Sequence, residues 1–80
     1  MNFVPNSRTA ADYSRTRYVI SVMRNDHAIL RREGEQYWLD RPSRHFPLSE
    51  PVASLVINSD GIVQRDHDLF EHKCWGVARG

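Results

Sequence analysis

Cysteine, lysine and glycine are scarce in this chain: one, one and four in 80 residues. A lone Cys74 cannot close an intrachain disulfide, and small secreted domains are normally stapled by several. A reduced, cytoplasmic protein is therefore expected. Gly34, Gly61, Gly76 and Gly80 are scattered, so no glycine-rich loop exists to cradle a phosphate. Long apolar runs are missing as well. Strictly apolar stretches stop at three residues, as in Leu55–Ile57, and Tyr18–Met23 is interrupted by Ser21. Both fall far short of the roughly 20 residues a membrane helix needs. Met1–Pro5 holds only Phe3 and Val4 as large apolar residues before the polar run 6–9, which fits neither a signal peptide nor an anchor. No membrane association is expected. No repeat of fixed period appears, and the length allows one domain at most. A chain this short buries only about 60% of its unfolded surface, so its core is thin.

What is abundant is arginine. Ten Arg accompany the single Lys against 10 Asp+Glu, for a formal net charge of +1. Arg-rich usage has a bland source in a GC-rich genome and a sharper one in carboxylate or phosphate recognition. Its distribution is uneven. Residues 1–32 carry six Arg and two Asp, net +4; residues 33–72 carry three Arg and eight acids, net −5; Lys73 and Arg79 add +2. Halves of opposite sign can fold against each other or present a two-signed surface to a partner.

Residues 1–16 read as an N-terminal arm or short helix, with residues 17–80 as one globular domain. Tyr18–Met23 is β-branched and aromatic, as strands prefer. Asn25-Asp26 and Glu33-Gly34 are turn signals. Together with His27–Arg32 and Gln36–Leu39 they predict an antiparallel meander over about 17–40. Two-residue turns at 25–26 and 33–34 would pair Arg32 with Glu35 and Leu30 with Tyr37. Leu30, Tyr37 and Leu39 then share one face, and Ile29 and Trp38 the other. The rival reading is one helix over 8–32, in which Ile20, Met23, His27 and Leu30 share a face and Arg17, Arg24 and Arg31 fall seven apart. The β-branched run and mid-helix Asn25-Asp26 argue against it.

Pro42, Pro47 and Pro51 mark residues 41–51 as loop. Residues 52–57 suit a strand of a second hairpin, turning at 58–61 into 62–64. They also suit a short helix entered through Ser49-Glu50-Pro51. Asp68 and Glu71 have the spacing of a capping box, which admits a helical turn near 67–73. The predicted class is α+β or mostly β, a small single domain built on the meander.

Chemistry-bearing patterns are few. Asp66, His67, Asp68, His72 and Cys74 are all metal-ligand types within nine residues. His67, His72 and Cys74 are the weak metal candidates, with no CxxC or HxxxH beside them. A solvated acidic segment with a core cysteine is the plainer reading. No nucleophile–base–orienter spacing is present, so neither an enzyme nor a cofactor is expected. Arginines interleaved with aromatics admit single-strand nucleic-acid binding. A pI near 8.0 is low for that class. Trp, Tyr and Arg are the residue types most enriched at binding hot spots. The expected function is that of a small regulator or inhibitor occupying the surface of a larger protein assembly, with nucleic-acid binding as the alternative. The predicted partner-binding residues are Arg15, Arg17, Arg31, Arg32, Tyr18 and Trp38. An exposed edge strand also admits a homodimer. So short a chain would suit a phage or mobile element.

Overall fold

The computed structural model describes residues 9–65 and 72–78. The order is α1 (Ala10–Asp26), β1 (Ile29–Glu33), β2 (Gln36–Asp40), β3 (His45–Leu48), α2 (Glu50–Ile57), β4 (Ile62–Arg65) and β5 (Lys73–Val77). The five strands form one antiparallel sheet in the order β3-β2-β1-β5-β4. The class is α+β, with an antiparallel meander, β1-β2-β3, at its centre of construction.

The meander lies at 29–48, not at 17–40, because the expected first strand is helix. Thr9 starts α1 through a capping box: the Asp12 amide donates to Thr9 Oγ1, and the Thr9 amide to Asp12 Oδ2, both at 3.1 Å. Thr16, Val19, Val22 and Met23 then fall on one helical face and are buried. Packing of that face outweighs the modest helix propensity of its β-branched residues. Residues 10–16, expected in an arm or short helix, are the first turns of α1. Residues 25–26 end the helix instead of turning a hairpin, and His27 caps it in the left-handed region at φ 58°.

The β1–β2 turn falls at 34–35, with Gly34 at φ 64°. Leu30 therefore opposes Leu39, and Arg32 opposes Tyr37 rather than Glu35. A turn displaced by one residue slides each partner by two, so every side chain keeps its predicted face. Residues 50–57 form a helix and not a strand. Ser49 caps it, Pro51 occupies the first turn, and Val52, Ala53 and Val56 are buried. Strand β4 pairs with β5. The helical turn expected near 67–73 lies largely outside the described residues, and its last residue, Lys73, is in β5.

Both helices pack on one face of the sheet. Val19, Val22 and Met23 of α1 meet Val52, Ala53 and Val56 of α2 over Leu30, Leu39, Leu48, Ile62 and Trp75. The opposite face carries Ile29, Arg31, Trp38, Asp40, His45, Cys74 and Gly76, by strand alternation. Among the described residues no helix lies on it. No described helix is long and apolar enough to cross a membrane.

Candidate functional site

The fold divides the predicted arginine cluster between separate surfaces. Arg31 sits on the helix-free face of the sheet, and its charge is answered there. Its Nε donates to Asp40 Oδ2 at 2.6 Å and its Nη2 to Asp40 Oδ1 at 3.2 Å. Nη1 reaches Glu33 Oε1 at 3.0 Å. His45 Nδ1 lies 2.8 Å from Asp40 Oδ1, and Arg31 stands over the Trp38 ring at 5.9 Å. Burial alone would push the Asp40 carboxyl up. Hydrogen bonds from Arg31 and His45, with their charges, outweigh it and hold the group below its ordinary range. Hydrogen bonds to Asp40 and, after the opposing effect of burial, to Glu33 push Arg31 further above its already high value. Arg31, one of the predicted partner-binding residues, thus makes a bidentate pair within the fold.

Arg32 projects from the other face of the sheet. Its Nε donates to the Gly34 carbonyl at 2.8 Å, and its guanidinium lies 5.7 Å from the Tyr37 ring centre. Arg41, in the β2–β3 connection, pairs with Asp26 at the end of α1.

The outer face of α1 differs. Arg15, Arg17, Tyr18, Ser21, Arg24 and Asn25 are all exposed. Tyr13 and Tyr18 are about half exposed, at 49% and 50%. Arg15 stacks on Tyr18 at 5.1 Å. Both acids of the helix are otherwise engaged, Asp12 in the cap and Asp26 with Arg41. Arg17, Ser21 and Arg24 line a groove with Ile20 and Asn25, and its far wall is Ser59-Asp60 from the α2–β4 turn. That wall is pinned: Ser59 Oγ donates to the Leu55 carbonyl at 2.7 Å and Asn58 Nδ2 to the Ser54 carbonyl at 2.8 Å. Among the described residues, Arg17, Arg24 and Asp60 form no ion pair.

Of the six predicted partner-binding residues, α1 carries Arg15, Arg17 and Tyr18: Arg15 meets Tyr18, and Arg17 turns to the groove side with Arg24. Arg31 and Trp38 share the sheet face, and Arg32 stands apart. Arg24 and Asp60 were missed. Arg24 was findable from its seven-residue spacing to Arg17, which puts both on one side of a helix. Nothing in the sequence pointed to Asp60, which the fold brings opposite them. Of the metal candidates, Cys74 is buried in β5, with its Sγ 3.4 Å from the His72 carbonyl. His67 lies outside the described residues. The described residues hold no group of three or more His, Cys, Asp or Glu arranged for a metal.

No protein-family model, no curated protein and no solved structure matches this chain.

Proposed function

We propose that this protein is a small non-enzymatic binding module. It acts as a regulator or inhibitor by seating the outer face of α1 on an anionic surface of a larger protein assembly in a reducing, cytoplasmic compartment. One observation carries the reading. Arg31 and Arg41 are answered by carboxylates within the fold, whereas among the described residues Arg17 and Arg24 are not. Open guanidiniums on a helix that also exposes Tyr13 and Tyr18 are what a protein hot spot presents before its partner arrives. The same pairing of Arg with exposed Tyr supports nucleic-acid binding as a second reading, since single strands use cationic grooves with stacking rings.

The test is affinity capture from the source cell with the tagged full chain, with and without nuclease. It is repeated with Arg15, Arg17 and Arg24 all changed to Glu. The expected result is a protein assembly that survives nuclease, is lost with the triple variant, and weakens as salt rises, because exposed charges are screened over about 8 Å at physiological ionic strength. All three side chains are exposed, so melting should be nearly unchanged. Capture that disappears with nuclease selects the second reading. Capture unaffected by the triple variant removes α1 from the interface.

A further inference from the structure

The groove beside α1 has charges of both signs that do not meet. Arg17 and Arg24 stand on the helix wall and Asp60 on the turn wall, all lining one cleft, yet no guanidinium comes within ion-pair distance of the carboxylate. Here the turn wall is fixed by the Ser59 and Asn58 hydrogen bonds to α2, and the other wall is a regular helix. The backbone of both walls is therefore fixed, and the cleft carries two cationic side chains and one anionic side chain facing a shared space.

The spacing narrows what fits. Seven helical residues separate Arg17 from Arg24, a rise of about 10 Å. An extended segment in the polyproline II conformation repeats each face every three residues, about 9 Å. Acidic residues at i and i+3 would thus meet the two guanidiniums from one side. That conformation makes no internal backbone hydrogen bonds, so its N–H groups, or a basic side chain between the acids, are free to face Asp60. A nucleic-acid strand also offers anions to the arginines but brings no positive charge to Asp60. Each phosphate near it is repelled. Ser21 adds a hydroxyl between the arginines, and its Oγ already accepts a hydrogen bond from Asn25 Nδ2 at 3.4 Å, leaving its own proton to donate.

The geometry points to an acidic, extended peptide segment of a partner protein, Glu-x-x-Glu with a basic residue between, as the occupant of the Arg17–Arg24–Asp60 groove. This inference rests on the α1 docking reading and deepens it by naming the chemistry recognised.

The probe is a blocked peptide, Gly-Glu-Pro-Lys-Glu-Pro-Gly, titrated into the full chain while its amide and Arg side-chain NMR signals are followed. A permuted control, Gly-Glu-Glu-Pro-Lys-Pro-Gly, carries the same charge with the wrong spacing. A short oligothymidylate is the nucleic-acid arm. Saturable shifts confined to Arg17, Ser21, Arg24 and Ser59-Asp60 are expected, weaker with the permuted peptide. Arg24→Gln should weaken binding by at least about tenfold, the factor one charge-assisted hydrogen bond carries. Asp60→Asn should weaken the peptide and tighten the oligothymidylate. Circular dichroism checks that both variants fold. Silent groove signals, equal affinity for the permuted peptide, or tighter binding of the oligothymidylate to the native chain each overturn the inference. If the groove stays silent while Arg15, Arg17 and Arg24 reversal still abolishes capture of the assembly, α1 docking stands and only the acidic-segment chemistry falls.

Discussion

Asp40→Asn keeps the size of the side chain and removes the charge that holds Arg31. The two groups are 22% and 17% exposed, and they meet through two hydrogen bonds at 2.6 and 3.2 Å. Exposed pairs contribute about 0–1 kcal/mol, and breaking a fully buried pair costs about 3–5 kcal/mol. This pair sits between those limits, so we expect a loss of about 2 kcal/mol at neutral pH. In a domain this small that lowers the melting temperature by roughly 10 °C. A double-mutant cycle with Arg31→Met, read by thermal melts, should give a coupling of about 1–2 kcal/mol. The pH dependence follows from the depressed Asp40 carboxyl. The folded chain releases this proton more readily than the unfolded chain, whose Asp titrates near about 3.9. The contribution is therefore complete above that value and is lost as pH falls through the lower folded one. Arg31 stays charged throughout and adds no slope. The gap between wild type and Asp40→Asn should be full above about pH 5 and should narrow steadily below about pH 4. A variant melting within about 2 °C of wild type at neutral pH would show that the pair contributes no net stability. A gap that stays constant into strong acid would refute the ionic argument and leave only shape.

Three other expectations concern single backbone and packing features. Thr9→Ala removes the capping acceptor of the Asp12 amide and should cost about 1 kcal/mol, seen as lower helicity and an earlier melt. His27 holds a left-handed conformation at φ 58°, so His27→Gly should leave stability unchanged or raise it by about 0.5 kcal/mol in urea titration, despite the looser unfolded chain. A methyl group at Gly76 would stand 2.8 Å from Arg65 Cδ and 3.2 Å from Ile29 Cδ1. Gly76→Ala should therefore cost about 1 kcal/mol, and adding Arg65→Ala should recover part of it, because the nearer clash lies with that side chain.

The sequence carried some of this architecture openly. Alternation put Leu30, Tyr37 and Leu39 on one face and Ile29 and Trp38 on the other. That survived an error in turn position, because parity is insensitive to a two-residue slide. Tyr18–Met23 misled for a physical reason. Its β-branched residues favour a strand locally, but Val19, Val22 and Met23 also match a helical face, and tertiary burial decides between the two. The deciding local signal was Thr9-Ala-Ala-Asp12, a capping box directly upstream of the first buried residues. Residues 52–57 posed the same choice, and the entrance Ser49-Glu50-Pro51 pointed correctly to helix. The site was half legible. Arg15 and Tyr18, three apart, share a side once 10–26 is helix, as do Arg17 and Arg24, seven apart, but the strand reading of 18–23 hid both pairings. Asp60 and Asp40 acquire their meaning from contacts distant in sequence, which periodicity does not encode.

The position of β5 has a consequence for how the molecule assembles. It lies between β1 and β4, and Leu30 pairs directly with Trp75 although β2, β3, α2 and β4 all intervene in sequence. The meander and the two helices can form from local contacts, which are entropically cheap and fast to make. Strand β4 has no sheet neighbour until β5 arrives, and β5 must close the longest loop in the sheet. The topology therefore predicts that β5, and β4 with it, joins the sheet after the local contacts of the meander have formed. The two tryptophans stand on either side of that division: Trp38 belongs to the meander, and Trp75 is 9% exposed within the late strand. Single-Trp variants should test this order in stopped-flow refolding: the Trp38 signal is expected to change before that of Trp75, and coincident changes would show one-step assembly.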